Sequence, residues 1–151
     1  MSGPGLTFDD LVPGRRFEAG PRTVTRADIA AFAELSGDKT ALHSDEAYAA
    51  TTPFGRVVAH GALNLSIATG LAYSSGVFEG TVLAVRSMEI HFDRPVYPDD
   101  QLRLFVVVSD RDERPHADRG RVSFDVKLLN QAGRTVLTGR WSLVMRRAAL
   151  T

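Results

Sequence analysis

The chain has 151 residues, 44% of them hydrophobic, enough for one core that buries roughly two-thirds of the surface its unfolded form exposes. Lys+Arg and Asp+Glu are each 18, so no net field draws the protein to nucleic acid or to an anionic membrane. The absence of cysteine excludes disulfides, thiolate nucleophiles and cysteine-held zinc, and His43, His60, His91 and His116 lack the spacing of a helix-borne metal site.

The opening MSGPGLTFDDLVPG has no basic segment followed by a long apolar run, and no window reaches the roughly 18 apolar residues of a membrane span. The expectation is a soluble, cytoplasmic protein. Gly and Pro in the first 20 residues predict an ordered arm, with a short strand at 15–20. In 23–37, Thr25 is suited to cap a helix, with Asp28 three residues on. Ile29, Phe32, Ala33 and Leu35 are expected near one face, and Gly37 can end the helix in a left-handed conformation. A second short helix is expected from Ser44, with Asp45 and Glu46 at its positive end and Pro53 ending it. From Gly61, ALNLSIATGLAYSS carries apolar or small residues on nearly every side, the pattern of a helix enclosed by other structure.

Beyond that helix the texture changes to long, β-branched, partly alternating stretches at 81–92, 101–110, 120–130 and 134–147. Val122, Phe124, Val126 and Leu128 share one face, as do Leu137, Trp141, Leu143 and Met145 with Gly139 between them. A tight turn is expected at 130–133, with breaks at 95–100 and 111–118. Helices first and antiparallel strands afterwards give an α+β layout, one domain over 1–151, with a sheet wrapped around one buried helix.

The chemistry concentrates in 35-LSGDKTALHSDEAYAATTPFGRVVAHGAL-63. Asp38 alone reads as a turn or capping residue, and His43 alone as a partly buried loop histidine. Together, an acid and an imidazole in one short connection can converge on one water or hydroxyl, as general acid–base chemistry requires. Gly61 has two readings: a glycine that permits close packing at a helix start, or a main-chain N–H that faces a carbonyl oxygen becoming negative during reaction. Ser66 and Thr69 can bond back to their own helix, whereas the Asn64 amide is suited to line a pocket or cross a subunit contact.

The same segment resembles the signature of the MaoC-like, (R)-specific enoyl-CoA hydratase family. Ser36-Gly37-Asp38, Leu42-His43, Asp45, Ala49-Ala50, Phe54-Gly55 and Val57-Val58-Ala59-His60-Gly61 follow the family order. The likeness extends through FDDLVPGRRFE, IHFDRPVYPDDQL and LLNQAGRTVLTG. It implies a hotdog fold, a curved antiparallel sheet around a long central helix, dimerising into a continuous sheet. It also implies reversible hydration of a 2-enoyl thioester to a (3R)-3-hydroxyacyl thioester on coenzyme A or an acyl carrier protein, with no metal or other cofactor. Asp38 and His43 carry over as the catalytic pair and Gly61 as the thioester-binding amide; Thr40, His60, Asn64 and Thr69 are the candidate substrate-contacting residues. Thr40-Ala41 stands where the family commonly has Asn-Pro, which frees the backbone before Leu42 and replaces an amide by a hydroxyl. Rival readings on the same fold are a thioesterase and a non-catalytic acyl-binding subunit of a fatty-acid or polyketide pathway.

Overall fold

Alternation of apolar and polar residues turns the second half of the chain into a sheet. In the computed structural model, which describes residues 3–149, the elements are β1 (Arg16–Thr23), α1 (Arg26–Ser36), a 3-10 turn (Ala41–His43), α2 (Glu46–Ala49), α3 (Gly61–Ser74), β2 (Val82–Phe92), β3 (Gln101–Arg111), β4 (Arg119–Leu129) and β5 (Thr135–Arg146). The strands form one antiparallel sheet in the order β1-β3-β4-β5-β2. Register breaks in β1, β2 and β3 bend it, because an extra residue on one strand sharpens the local twist. This is the expected α+β hotdog layout.

Alternate residues of the inner face are sealed: Leu102, Leu104, Val106 and Val108 on β3, Val122, Phe124, Val126 and Leu128 on β4, and Leu137, Trp141, Leu143 and Met145 on β5. Against them α3 lays Leu63, Ile67, Ala68, Leu71 and Ala72, a stripe at helical spacing. Phe78 meets Phe17 and Phe124 edge-on, each with ring centroids 5.4 Å apart. The N-terminal arm is ordered as expected, since Phe8 and Leu11 are buried and the Phe8 N–H donates to Arg146 O at 2.9 Å. Met1, Ser2, Leu150 and Thr151 lie outside the described residues.

Three local expectations change. The second helix begins after Asp45, not Ser44, because it is Asp45 whose side-chain Oδ1 accepts from the Tyr48 N–H, at 3.1 Å. Leu35 is 85% exposed: at about 100° per residue it stands well off the stripe centred on buried Ile29. On α3, Ala62, Ser66, Thr69, Gly70 and Tyr73 face outward, so the sheet encloses one side of the helix and leaves the other open. Small residues gave that side an apolar composition without burying it. No described helix is long and apolar enough to cross a membrane.

Candidate active site

The site is built where α1 ends and α3 begins. Thr25 and Asp28 form the expected reciprocal cap, and Arg22 grips both Asp28 oxygens at 2.8 and 3.2 Å. The Arg22 guanidinium is the main cause that holds the Asp28 carboxyl down at about 2. Gly37 then ends α1 with φ 79°, a left-handed turn that releases the chain as Asp38. The Asp38 N–H donates to Ser36 Oγ at 3.1 Å, so the Ser-Gly-Asp run is a hydrogen-bonded exit from the helix.

Thr40 ties the acid down. Its hydroxyl donates to Asp38 Oδ1 at 2.6 Å and its N–H donates to the same oxygen at 3.2 Å. These two bonds, the hydroxyl's first, keep the Asp38 carboxyl below its ordinary value, with lesser help from His60 and His43. Threonine thus supplies the donor that an amide would have supplied. The backbone freedom expected from the missing proline is not used either: Thr40 sits at φ −55°, ψ 133°, the region a following proline enforces, and Ala41 opens the 3-10 turn.

His43 leaves that turn with its Nδ1 2.7 Å from Val58 O. A carbonyl only accepts, so Nδ1 carries the proton and Nε2 presents its lone pair. Beneath lies His60, 2% exposed, stacked on His43 at 3.9 Å between ring centroids and inclined by 27°. Its Nε2 is 2.9 Å from the main-chain oxygen of Asp38, and Phe32 meets it edge-on at 4.9 Å. One carboxylate oxygen of Asp38 and one ring nitrogen each of His43 and His60 lie within 4.8 Å of one another. The group suits acid–base chemistry by Asp38 and His43 better than a metal: two nearly parallel imidazoles cannot aim their in-plane lone pairs at one ion.

Gly61 is the first residue of α3, where N–H groups have no acceptor within the helix. A Cβ here would stand 2.8 Å from Cε1 of the exposed Phe92 ring. Asn64, one turn on, is buried with Oδ1 unpartnered. Thr69 stands apart from the cluster, and its hydroxyl donates to Ser66 O at 2.7 Å.

Sequence reasoning singled out Asp38, Thr40, His43, His60 and Gly61, which the structure brings to one end of α3. Val58 stood in the quoted signature without a role, because its contribution is a main-chain oxygen that residue identity does not report. Phe92 was missed because it meets Gly61 only across the fold. Ser36 stood in the quoted signature and Phe32 on the predicted buried face, so both were within reach. A cavity of about 200 Å³ adjoins His43, lined by Arg26, Ile29, Ala30, Ala33, Ser44 and Val57. A larger hollow of about 940 Å³ opens elsewhere, on β1, β3 and β4, and includes none of the acid–base residues.

The family model described as "MaoC like domain" matches residues 10–129. Protein MaoC of Klebsiella aerogenes is 40% identical over 98 residues, 64% of this chain but only 29% of that protein, so this chain spans less than a third of it. The (R)-specific enoyl-CoA hydratase of Aeromonas caviae is 34% identical over 114 residues, 75% of this chain and 80% of its own length. Among solved structures, the monoamine oxidase regulatory protein from Archaeoglobus fulgius superposes with a TM-score of 0.90 at 31% identity, covering 99% of both chains.

Proposed function

The chain belongs to the MaoC-like domain family, and from that premise we propose that it catalyses reversible hydration of a 2-enoyl thioester to the (3R)-3-hydroxyacyl thioester, carried on coenzyme A or on the phosphopantetheine arm of an acyl carrier protein. The observation that carries this reading is the pairing of two proton acceptors, the Asp38 carboxylate and the His43 ring, beside the start of α3. A water that donates one hydrogen to Asp38 and the other to His43 Nε2 has its oxygen lone pairs free to attack C3. As the new C–O bond forms, one acceptor takes the water proton and the C2=C3 electrons pass through C2 to the thioester oxygen. The Gly61 N–H at the positive end of α3 receives that developing negative charge. Return of the proton to C2 completes addition of water, and dehydration runs the same steps backwards.

The depressed Asp38 carboxyl fits an acceptor that is ionised before substrate arrives. No cofactor beyond the thioester's own carrier enters the scheme. We also take the active molecule to be a homodimer. β2 has a strand on one side only, which leaves an edge that a second copy can extend, and exposes Val85, 57%.

Purified Asp38→Asn and His43→Ala, with folding checked by circular dichroism, are expected to lose about 10²–10⁴-fold in enoyl-thioester hydration followed by absorbance. Wild-type rates in both variants would sink the reading. Free thiol released in place of hydrated product would establish thioester hydrolysis instead, and tight acyl binding without turnover would establish a binding subunit.

A further inference from the structure

The hydration scheme gives no task to His60, the most deeply buried of the polar groups at the site. Substrate does not reach it without displacing the loop above, yet it contacts both members of the acid–base pair. Its Nε2 lies 2.9 Å from the main-chain oxygen of Asp38, and an imidazole nitrogen can satisfy that carbonyl only by donating. Its ring face lies 3.9 Å from that of His43. Phe32 closes the far side at 4.9 Å. His43 is fixed within its own plane by the bond to Val58 O, but that bond resists tilting out of the plane poorly; the stacked ring supplies the missing restraint.

We propose that His60 is the positioning residue of the acid–base pair, holding the Asp38 main chain with Nε2–H and the His43 ring with its face, so that carboxylate and imidazole keep a separation one water can bridge. The buried Nδ1 of His60 has no partner. A proton there would be an unpaired donor in the interior, so the proton belongs on Nε2, where the Asp38 carbonyl accepts it. His60 and His43 therefore hold opposite tautomers in adjacent rings, one directed at the backbone of the acid and one presenting a free lone pair to the site.

The tautomers are measured without any variant, by ¹⁵N NMR of histidine-labelled protein: His43 is expected protonated at Nδ1 and His60 at Nε2. A proton on His60 Nδ1 overturns the proposal. The kinetic arm rests on the hydration reading. His60→Phe keeps a ring in the stack and removes the donor; it is expected to lower kcat about 10–10²-fold with KM within about twofold, the signature of displaced catalytic groups and not of a lost substrate contact. His60→Gln, whose side-chain amide can reach the same carbonyl but which gives up the stacked ring, is expected to lower kcat as well, again with KM within about twofold. Wild-type kcat in either variant, or a rise in KM alone, would overturn the assignment. If wild-type protein turns over no thioester, the hydration reading has failed and the NMR arm still decides. His60→Gln, which gives up the stack, should then displace the His43 nitrogen signals, and unchanged signals refute positioning.

Discussion

Gly61→Ala tests how the start of α3 is packed. The added Cβ would stand 2.8, 3.0 and 3.2 Å from Cε1, Cδ1 and Cζ of Phe92. Carbon atoms in comfortable contact keep at least about 3.5 Å, so the ring must retreat by about 0.7 Å at its tightest atom. Phe92 is 57% exposed, and its ring can swing outward without dragging the sheet. The overlap therefore belongs at the low end of overpacking costs, about 1 kcal/mol. Against it stands a gain of up to about 1 kcal/mol for replacing glycine by alanine in a helix. Gly61→Ala alone should thus be close to neutral or destabilising by about 1 kcal/mol, whereas in a Phe92→Ala background only the gain remains. Urea unfolding of the four proteins, at one protein concentration and with common m-values, should give a coupling of about 1 kcal/mol. Identical effects of Gly61→Ala in both backgrounds would refute the packing argument. Alanine's N–H donates as well as glycine's, so the hydration rate lost in Gly61→Ala should return to the Phe92→Ala level in the double variant. Failure to recover would mean that the methyl itself obstructs the thioester.

Three further outcomes follow from the loop and its helix. Ala41→Pro should be tolerated and raise stability by about 0.4–1 kcal/mol, because Thr40 already holds the conformation proline imposes; a fall in the urea midpoint would contradict this. Thr40→Val removes the 2.6 Å hydroxyl bond to Asp38, so that carboxyl should titrate higher and the acidic limb of the kcat/KM profile should move to higher pH; an unmoved limb would show that Asp38 does not govern it. Asp28→Ala should cost about 1 kcal/mol at neutral pH. Asp28 titrates near 2 when folded against an ordinary 3.8, so its contribution is complete above the higher value and is lost as pH falls through the lower one. Wild type and variant should therefore converge in stability on acidification, and a gap that persists at the acid end would contradict the assignment.

Legibility in the sequence followed the range of the interaction. The cap on α1 was readable because Thr25 and Asp28 are three residues apart and each side chain accepts from the other's main-chain N–H. The inner faces of β4 and β5 were readable because alternation is a property of each strand alone. At Ser44 and Asp45, two adjacent residues could each cap a helix; Ala41 O accepts from the N–H of both, and the cap is the one whose side chain meets the Tyr48 N–H, Asp45. Asp38, His43 and Gly61 could be named from residue type and order. The burial of His60, the ring against Gly61 and the carbonyl that fixes His43 all arise where segments distant in sequence meet, and no local pattern reports them.

The bonds around Val58 carry one more consequence. Its N–H donates to Leu42 O at 3.3 Å, its carbonyl accepts from His43, and the next N–H, of Ala59, donates to Val96 O at 2.8 Å. The acid–base loop, the approach to α3 and the β2–β3 connection are thereby clipped together through main-chain atoms. Local opening of the loop has to break the Val58 bonds and loosen the residues that lead into Gly61. In native-state hydrogen exchange the amides of Val58 and Ala59 should then report a single opening event, and the chain should lose the placement of His43 and of the Gly61 amide together as one cooperative unit.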